Sequence, residues 1–213
     1  MDVLEILKKD WKKKDHSFDQ ITEKEIYGML HKRSSSIVKL IFIISVFEIV
    51  LWTVFGLFNT DEEYLKKLEV LHLKETIYVM TYINYGIVLL FIYAFYRNHK
   101  KISATDSIKK LMSSILNTRK TVKYYIWYNL AMIFISIMLF FIFFMKFDPK
   151  IIEIIDSLNE KMNVNGFYMI SFTILFICSL GILGLFWLFY KLIYGVLLKR
   201  LNSNYEELEK LDL

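Results

Sequence analysis

Glu48 lies inside the run IVKLIFIISVFEIVLWTVFGLF, flanked on both sides by apolar residues. A charged carboxylate near the middle of a membrane-crossing helix costs about 2.5–3.5 kcal/mol, against about 0.3–0.6 kcal/mol gained for each Leu, Ile, Phe or Val. A run this apolar still inserts, so Glu48 must face other helices and carry either a proton or hydrogen bonds. No Lys or Arg is expected at comparable depth to neutralise it. The candidate partners are Asn84 and Tyr85 in a second apolar run and Asn129 in a third, with Ser45, Thr53, Ser136 and Ser171 available to join. Three readings fit such a cluster. One is interhelical hydrogen-bond glue, worth about 0.6–2 kcal/mol in membranes; another is a proton-handling or substrate site, and the third is a contact with a partner subunit.

Catalytic chemistry is poorly supplied. The four histidines, His16, His31, His72 and His99, all lie outside the apolar runs and form no His-x-x-x-His pair. A zinc or di-iron enzyme needs such ligands at one depth. There is no Gly-rich phosphate loop, no Gly-x-Ser-x-Gly elbow and no pair of carboxylates within one run. Cys178 is the one cysteine and sits in an apolar stretch, so a thiolate cluster within the chain is impossible. The sequence therefore implies a non-enzymatic protein with no metal and no cofactor.

The elements that would position Glu48 are long helices. In 213 residues, 55% are hydrophobic and 17% aromatic, and the mean hydropathy is +0.39. That exceeds what a water-soluble core of this size needs, and the surplus must face lipid. One Pro and seven Gly suit uninterrupted helices rather than a turn-rich β protein. Crossing about 30 Å of hydrocarbon takes roughly 20 residues. Four stretches qualify: Ile37–Phe58, Ile77–Tyr96, Tyr124–Phe147 and Phe167–Leu198. The last would reach on the order of 48 Å, so it must tilt, kink or protrude, with Gly181, Gly184 and Gly195 offering a kink or close packing. The fold class is all-α: an integral membrane bundle of four transmembrane helices.

Basic residues resist translocation and so report orientation. Eight precede the first span (Lys8, Lys9, Lys12, Lys13, Lys14, Lys24, Lys32, Arg33), and eight fall between the second and third (Arg97, Lys100, Lys101, Lys109, Lys110, Arg119, Lys120, Lys123). The tail adds Lys191, Lys199, Arg200 and Lys210, whereas the other two connections hold only Lys66, Lys67, Lys74, Lys150 and Lys161. Both termini are then cytoplasmic in an inner membrane. No cleavable signal peptide is visible, since a long charged segment comes before the first apolar run. Trp52, Tyr78, Tyr96, Tyr124, Tyr125, Trp127 and Tyr190 fall near span ends, where aromatic rings favour the headgroup zone.

Three helices are expected to continue past the cytoplasmic boundary. Thr22 and Glu25 form a capping box ahead of Ile26, Met29 and Leu30. Ser103 and Asp106 are a weaker signal before the stripe Ile108, Leu111, Met112, Ile115 and Leu116, giving a helix from about Thr105 to Phe147. Leu198, Leu201, Tyr205 and Leu208 continue an apolar seam among Glu206, Glu207, Glu209 and Lys210. This divides the chain into cytoplasmic helices at 1–36, a membrane domain at 37–198 with a cytoplasmic extension at 105–123, and a helical tail at 199–213. The stripes either pack on each other or leave a groove for a protein partner or a second copy of the chain.

At the N-terminus, Val3, Leu4, Leu7 and Trp11 share a helical face beside Lys8, Lys9, Lys12, Lys13 and Lys14. The pattern suits an amphipathic helix on an anionic leaflet or a soluble helix at the bundle's base. Topology already accounts for the cations, so no nucleic acid is expected. On the opposite side, Thr60 with Glu63, and Asp148 with Pro149, announce two short amphipathic helices. Asn163–Gly166 reads as a turn.

The stretches LEILKKDWKKKDHSFDQITEKEIYGMLHKRSSSIVKLIFIISVFEIVLW and TDSIKKLMSSILNTRKTVKYYIWYNL resemble an uncharacterised bacterial family of four-span inner-membrane proteins. Its members often carry an automatic beta-carotene monooxygenase label. The resemblance implies the same four-span fold and gives no residue a role. For function, the residues themselves point first to a scaffold, accessory subunit or regulator docking a partner on its cytoplasmic helices. The alternative is a small transporter or proton-coupled component built on Glu48.

Overall fold

The computed structural model describes residues 22–58, 61–105, 107–159 and 164–212. Among them there is no strand, and six helices follow in order: α1 Glu23–Phe58, α2 Glu62–Val70, α3 Lys74–Ser103, α4 Ile108–Phe147, α5 Pro149–Asn159 and α6 Val164–Leu211. α1, α3, α4 and α6 are each long and apolar enough to cross a membrane. They form a ring in which α1 packs on α3, α3 on α4, α4 on α6 and α6 back on α1. Pairings between neighbours run in opposite directions. Tyr27 Oη donates to the Thr105 carbonyl (3.0 Å) at one end of α1, and Thr53 meets Tyr85 (3.1 Å) at the other. The bundle is thus up-down-up-down.

Each long helix buries a narrow seam. On α4 the fully buried positions are Leu111, Ile115, Thr118, Val122 and Tyr125, and on α6 they include Tyr194, Leu201 and Leu208, with Asn204 between. Steps of four and three residues alternate, the 3.5-residue repeat that keeps one face on its neighbours in left-handed bundles. Val38 and Ile41 of α1 and Phe95 and Ile102 of α3 complete this core. Beyond Glu48 the seam opens: on α6, only Ser179 is buried between Val164 and Tyr190. Leu, Ile and Phe side chains point outward there instead, among them Phe172, Ile177, Leu185 and Leu188.

Local signals explain the helix ends. The capping box forms in full: the Thr22 N–H donates to Glu25 Oε2 (2.8 Å), and the Glu25 N–H to Thr22 Oγ1 (3.3 Å). These bonds hold the exposed Glu25 carboxyl below the usual carboxylate range, the Thr22 N–H contributing most. α2 is capped by Asp61, whose carboxylate accepts from the Tyr64 N–H (2.8 Å), one residue later than expected; Thr60 lies outside the described residues. Asp148 caps α5 through the Lys150 and Ile151 N–H groups (3.0 and 3.2 Å). α4 starts at Ile108 after Ser107, not at Thr105, and Asp106 is outside the described residues. The expected turn at Asn163–Gly166 is instead the first turn of α6 from Val164 onward, with Asn163 outside the described residues. α6 runs as one helix of 48 residues, protruding rather than ending. Among the described residues a Cβ added at Gly181 or Gly184 would meet open space, and one at Gly195 would meet only the Lys191 stem at 3.6 Å, so none marks a close helix approach.

The stubs pack on each other, and there are four of them, because α3 also continues seven residues past Tyr96, to Ser103. A buried polar pair stitches α1 to α6 here: Asn204 Nδ2 donates to Ser34 Oγ at 2.9 Å, while Asn204 Oδ1 has no partner among the described residues. Replacing Ser34 alone by Ala strands the amide and is expected to lower unfolding stability by about 1–3 kcal/mol. The double change Ser34→Ala with Asn204→Leu removes both polar groups and is expected to recover most of that loss. Chemical unfolding in detergent, followed by circular dichroism, measures both.

At the opposite end α2 folds over the bundle. Leu68, Leu71 and Leu73 form a second small core with Ile77, Phe143, Phe144 and Phe147. The chain turns there at His72, whose φ of 52° lies in the left-handed region. Its side chain is held edge-on against Phe147, with ring centroids 4.7 Å apart.

Candidate functional site

Glu48 lies on the inward face of α1, one turn beyond buried Ser45. Its carboxylate accepts three phenol O–H bonds. Tyr190 donates to Oε1 at 2.6 Å, and Tyr125 and Tyr194 donate to Oε2 at 2.9 and 3.2 Å. Tyr125 comes from α4, and Tyr190 and Tyr194 from consecutive turns of α6, so one side chain ties three helices. The fourth contributes rings: Phe91 and Phe95 of α3 meet Tyr125 edge-on at 5.4 and 5.6 Å. The three phenols are 1%, 2% and 0% exposed, in sequence order.

Among the described residues, no cation takes part. Lys191 follows Tyr190 in the chain and stands near the level of Glu48, contrary to the expectation of no basic residue at that depth. Its ammonium lies over the Trp187 ring, 4.7 Å from the centroid. A carboxylate without a counter-ion is stabilised by charge-assisted donors, and phenols supply them without introducing a charge of their own. Three donors fill three of the roughly four lone-pair sites on the two oxygens.

The expected cluster does not assemble as one group. Asn84 Oδ1 accepts from Tyr128 Oη (3.0 Å), Tyr85 meets Thr53, and Asn129 Nδ2 turns back onto the Tyr125 carbonyl in its own helix (2.9 Å). These are separate rungs. Asn84 and Tyr85 join neighbouring helices on the side of Glu48 away from the helical base, and Asn129 borders the Glu48 node through Tyr125, whose carbonyl and hydroxyl its side chain meets. The residues proposed for the headgroup, Lys8, Lys9, Trp11, Lys12, Lys13 and Lys14, lie outside the described residues.

Two of the expected headgroup aromatics prove to be core. Tyr125 and Tyr190 are the main donors to Glu48, whereas Tyr124 and Trp127, on the same turns as Tyr125, are 67% and 66% exposed. A signal for this existed. An inward carboxylate without a cation needs donors, and Tyr190 and Tyr194 are four residues apart on one helical face.

The partners also relocate Glu48 along the bundle axis. Tyr125 stands two residues beyond Lys123, and Phe95, which touches Tyr125, two residues before Arg97. Glu48 is therefore within about a turn or two of the cationic belt, not midway along the lipid-length section. The residues below it on α1, including Ile37, Val38 and Ile41, are apolar because protein covers them.

Among the described residues, no three His, Cys, Asp or Glu side chains come together in a way that could hold a metal ion. A surface recess on α3 around Arg97 and another between α4 and α6 around Met145 and Met169 do not include Glu48 or its phenols.

Fold and site together define an all-α bundle of membrane-spanning proportions, pinned by one carboxylate and extended by a packed helical base. The chain belongs to the family defined by a domain of unknown function, DUF8845, whose model matches residues 24–213. No curated protein and no solved structure matches it.

Proposed function

We propose that the protein is a multi-pass inner-membrane platform, a scaffold, accessory subunit or regulator, whose cytoplasmic helical base docks a protein partner. The observation that carries this reading is where the tight packing lies. Leu111, Ile115, Ile102, Leu201 and Leu208 are sealed in the stubs, while the lipid-length sections are open to their surroundings. A base held this firmly, about 25–30 Å tall at 1.5 Å per residue, presents a fixed surface. That surface is also polarised in charge. Glu206, Glu207 and Glu209 crowd the end of α6, and the described residues of α3 and α4 from Thr76 to Phe147 carry no carboxylate. The inner membrane and cytoplasmic termini rest on the distribution of Lys and Arg.

The reading of Glu48 as a transport group gains less support. Proton or ion passage needs access to water, whereas each oxygen of this carboxylate is engaged by a buried phenol. The arrangement suits a pin that holds α1, α4 and α6 in register.

Purification of the tagged full-length chain in mild detergent tests the platform. A stoichiometric partner should co-purify, and deleting the residues before Thr22 should weaken its retention. Enrichment no better than that of an unrelated four-span protein would refute the reading.

A further inference from the structure

We propose that the outer face of α3 at its C-terminal end is a binding site for the phosphodiester headgroup of an anionic phospholipid in the leaflet next to the helical base. The site is a shallow recess of about 370 Å³ lined by Tyr93, Tyr96, Arg97, Lys100, Lys101 and Ala104. These positions recur at three- and four-residue steps, so they share the face of α3 that points away from buried Phe95 and Ile102.

Three observations select this occupant. The first is charge. None of Arg97, Lys100 and Lys101 forms an ion pair with a described carboxylate. The nearest acid in sequence, Asp106, lies outside the described residues, and every other position from Thr76 to Phe147 is free of Asp and Glu. Three cations on two turns of one face, with no carboxylate partner among the described residues, attract an anion.

The second is level. Phe95 touches Tyr125 and so lies beside the Glu48 node, and Arg97 is the first charge after the apolar run of α3. Exposed Leu89 and Leu90 stand just above and suit acyl chains, while Lys100 and Lys101 lie one turn below. A phosphate held here has its tails directed along the helix into the lipid-length section. A free anion would gain nothing from that apolar approach.

The third is aromatic content. Tyr93 and Tyr96 are exposed, each with an apolar ring for the acyl–glycerol boundary and a hydroxyl for the phosphate. Tyr96 is steadied by Phe42 of α1, with ring centroids 6.0 Å apart.

The proposal rests on the membrane reading above, and one preparation separates the two. Full-length protein in detergent is titrated with phosphatidylglycerol, phosphatidylcholine or inorganic phosphate, and bound lipid is counted by native mass spectrometry. A basic residue near an anionic surface contributes about fivefold in affinity. The parent should therefore prefer phosphatidylglycerol over phosphatidylcholine by at least about tenfold. The triple variant Arg97→Gln, Lys100→Gln, Lys101→Gln should bring this preference below about twofold. A control with the same charge loss, Lys199→Gln, Arg200→Gln, Lys210→Gln, alters α6, which is not a packing neighbour of α3, and should keep it. All six side chains are exposed, so both variants should fold, as circular dichroism will check. Equal preference in the two variants, or inorganic phosphate bound as tightly as the lipid, overturns the site. Monodispersity without detergent would instead overturn the membrane reading itself.

Discussion

Glu48→Leu is expected to lower unfolding stability by roughly 2–5 kcal/mol, three membrane hydrogen bonds at about 0.6–1.7 kcal/mol each. The loss arises because Tyr125, Tyr190 and Tyr194 are almost fully buried and keep no other acceptor of comparable strength. Tyr190→Phe alone removes the shortest of the three bonds and should cost about 1–2 kcal/mol. Combined with Glu48→Leu it should add little further loss, since the bond is already gone and one stranded hydroxyl goes with it. Glu48→Gln, which keeps an acceptor but loses the charge, should fall between the parent and Leu. Unfolding curves in detergent give all four values. Full additivity of the Glu48 and Tyr190 changes would show that the two side chains do not act together.

Leu201→Ala should be as damaging, by about 2–5 kcal/mol, through a different cause. Leu201 is 0% exposed in the base, and truncation there leaves a cavity that four continuous helices cannot readily collapse around. Hydrogen exchange should quicken first in the stubs of α4 and α6. Leu185→Ala on the same helix removes the same atoms at 72% exposure and should shift stability by no more than about 0.5 kcal/mol. Equal effects at the two positions would mean that the base is not the protein's main core.

The spans were plain in the sequence because a water-soluble fold seldom keeps apolar residues running for the full thickness of a bilayer. Thr22, Glu25 and Asp148 likewise announced helix starts that the structure bears out. Depth was harder to read. Ile37–Ser45 is as apolar as a lipid-facing segment, and a single sequence does not say whether lipid or protein covers it, so Glu48 looked central when it stands near the cationic belt. Tyrosine is ambiguous for a related reason. At a span end it satisfies its hydroxyl equally well in a headgroup or on a carboxylate. Tyr124 is exposed on the bundle surface and Tyr125 bonds Glu48, and only the helical phase relative to Val122 and Thr118 distinguishes them. Asn84 and Asn129 were recognisable as polar groups at bundle depth, but the Tyr128 partner of Asn84 depends on the relative heights of α3 and α4, which the run lengths do not determine, and Asn129 turned to Tyr125 in its own helix.

The continuity of α1, α3, α4 and α6 through the cationic belt has a mechanical consequence. With no joint between its two halves, the bundle transmits leaning of its lipid-length section directly to the far end of the base. At a height of about 30 Å, a 10° change in lean sweeps that end sideways by about 5 Å. Bilayer thinning or thickening would thereby reposition anything carried there, turning membrane thickness into displacement.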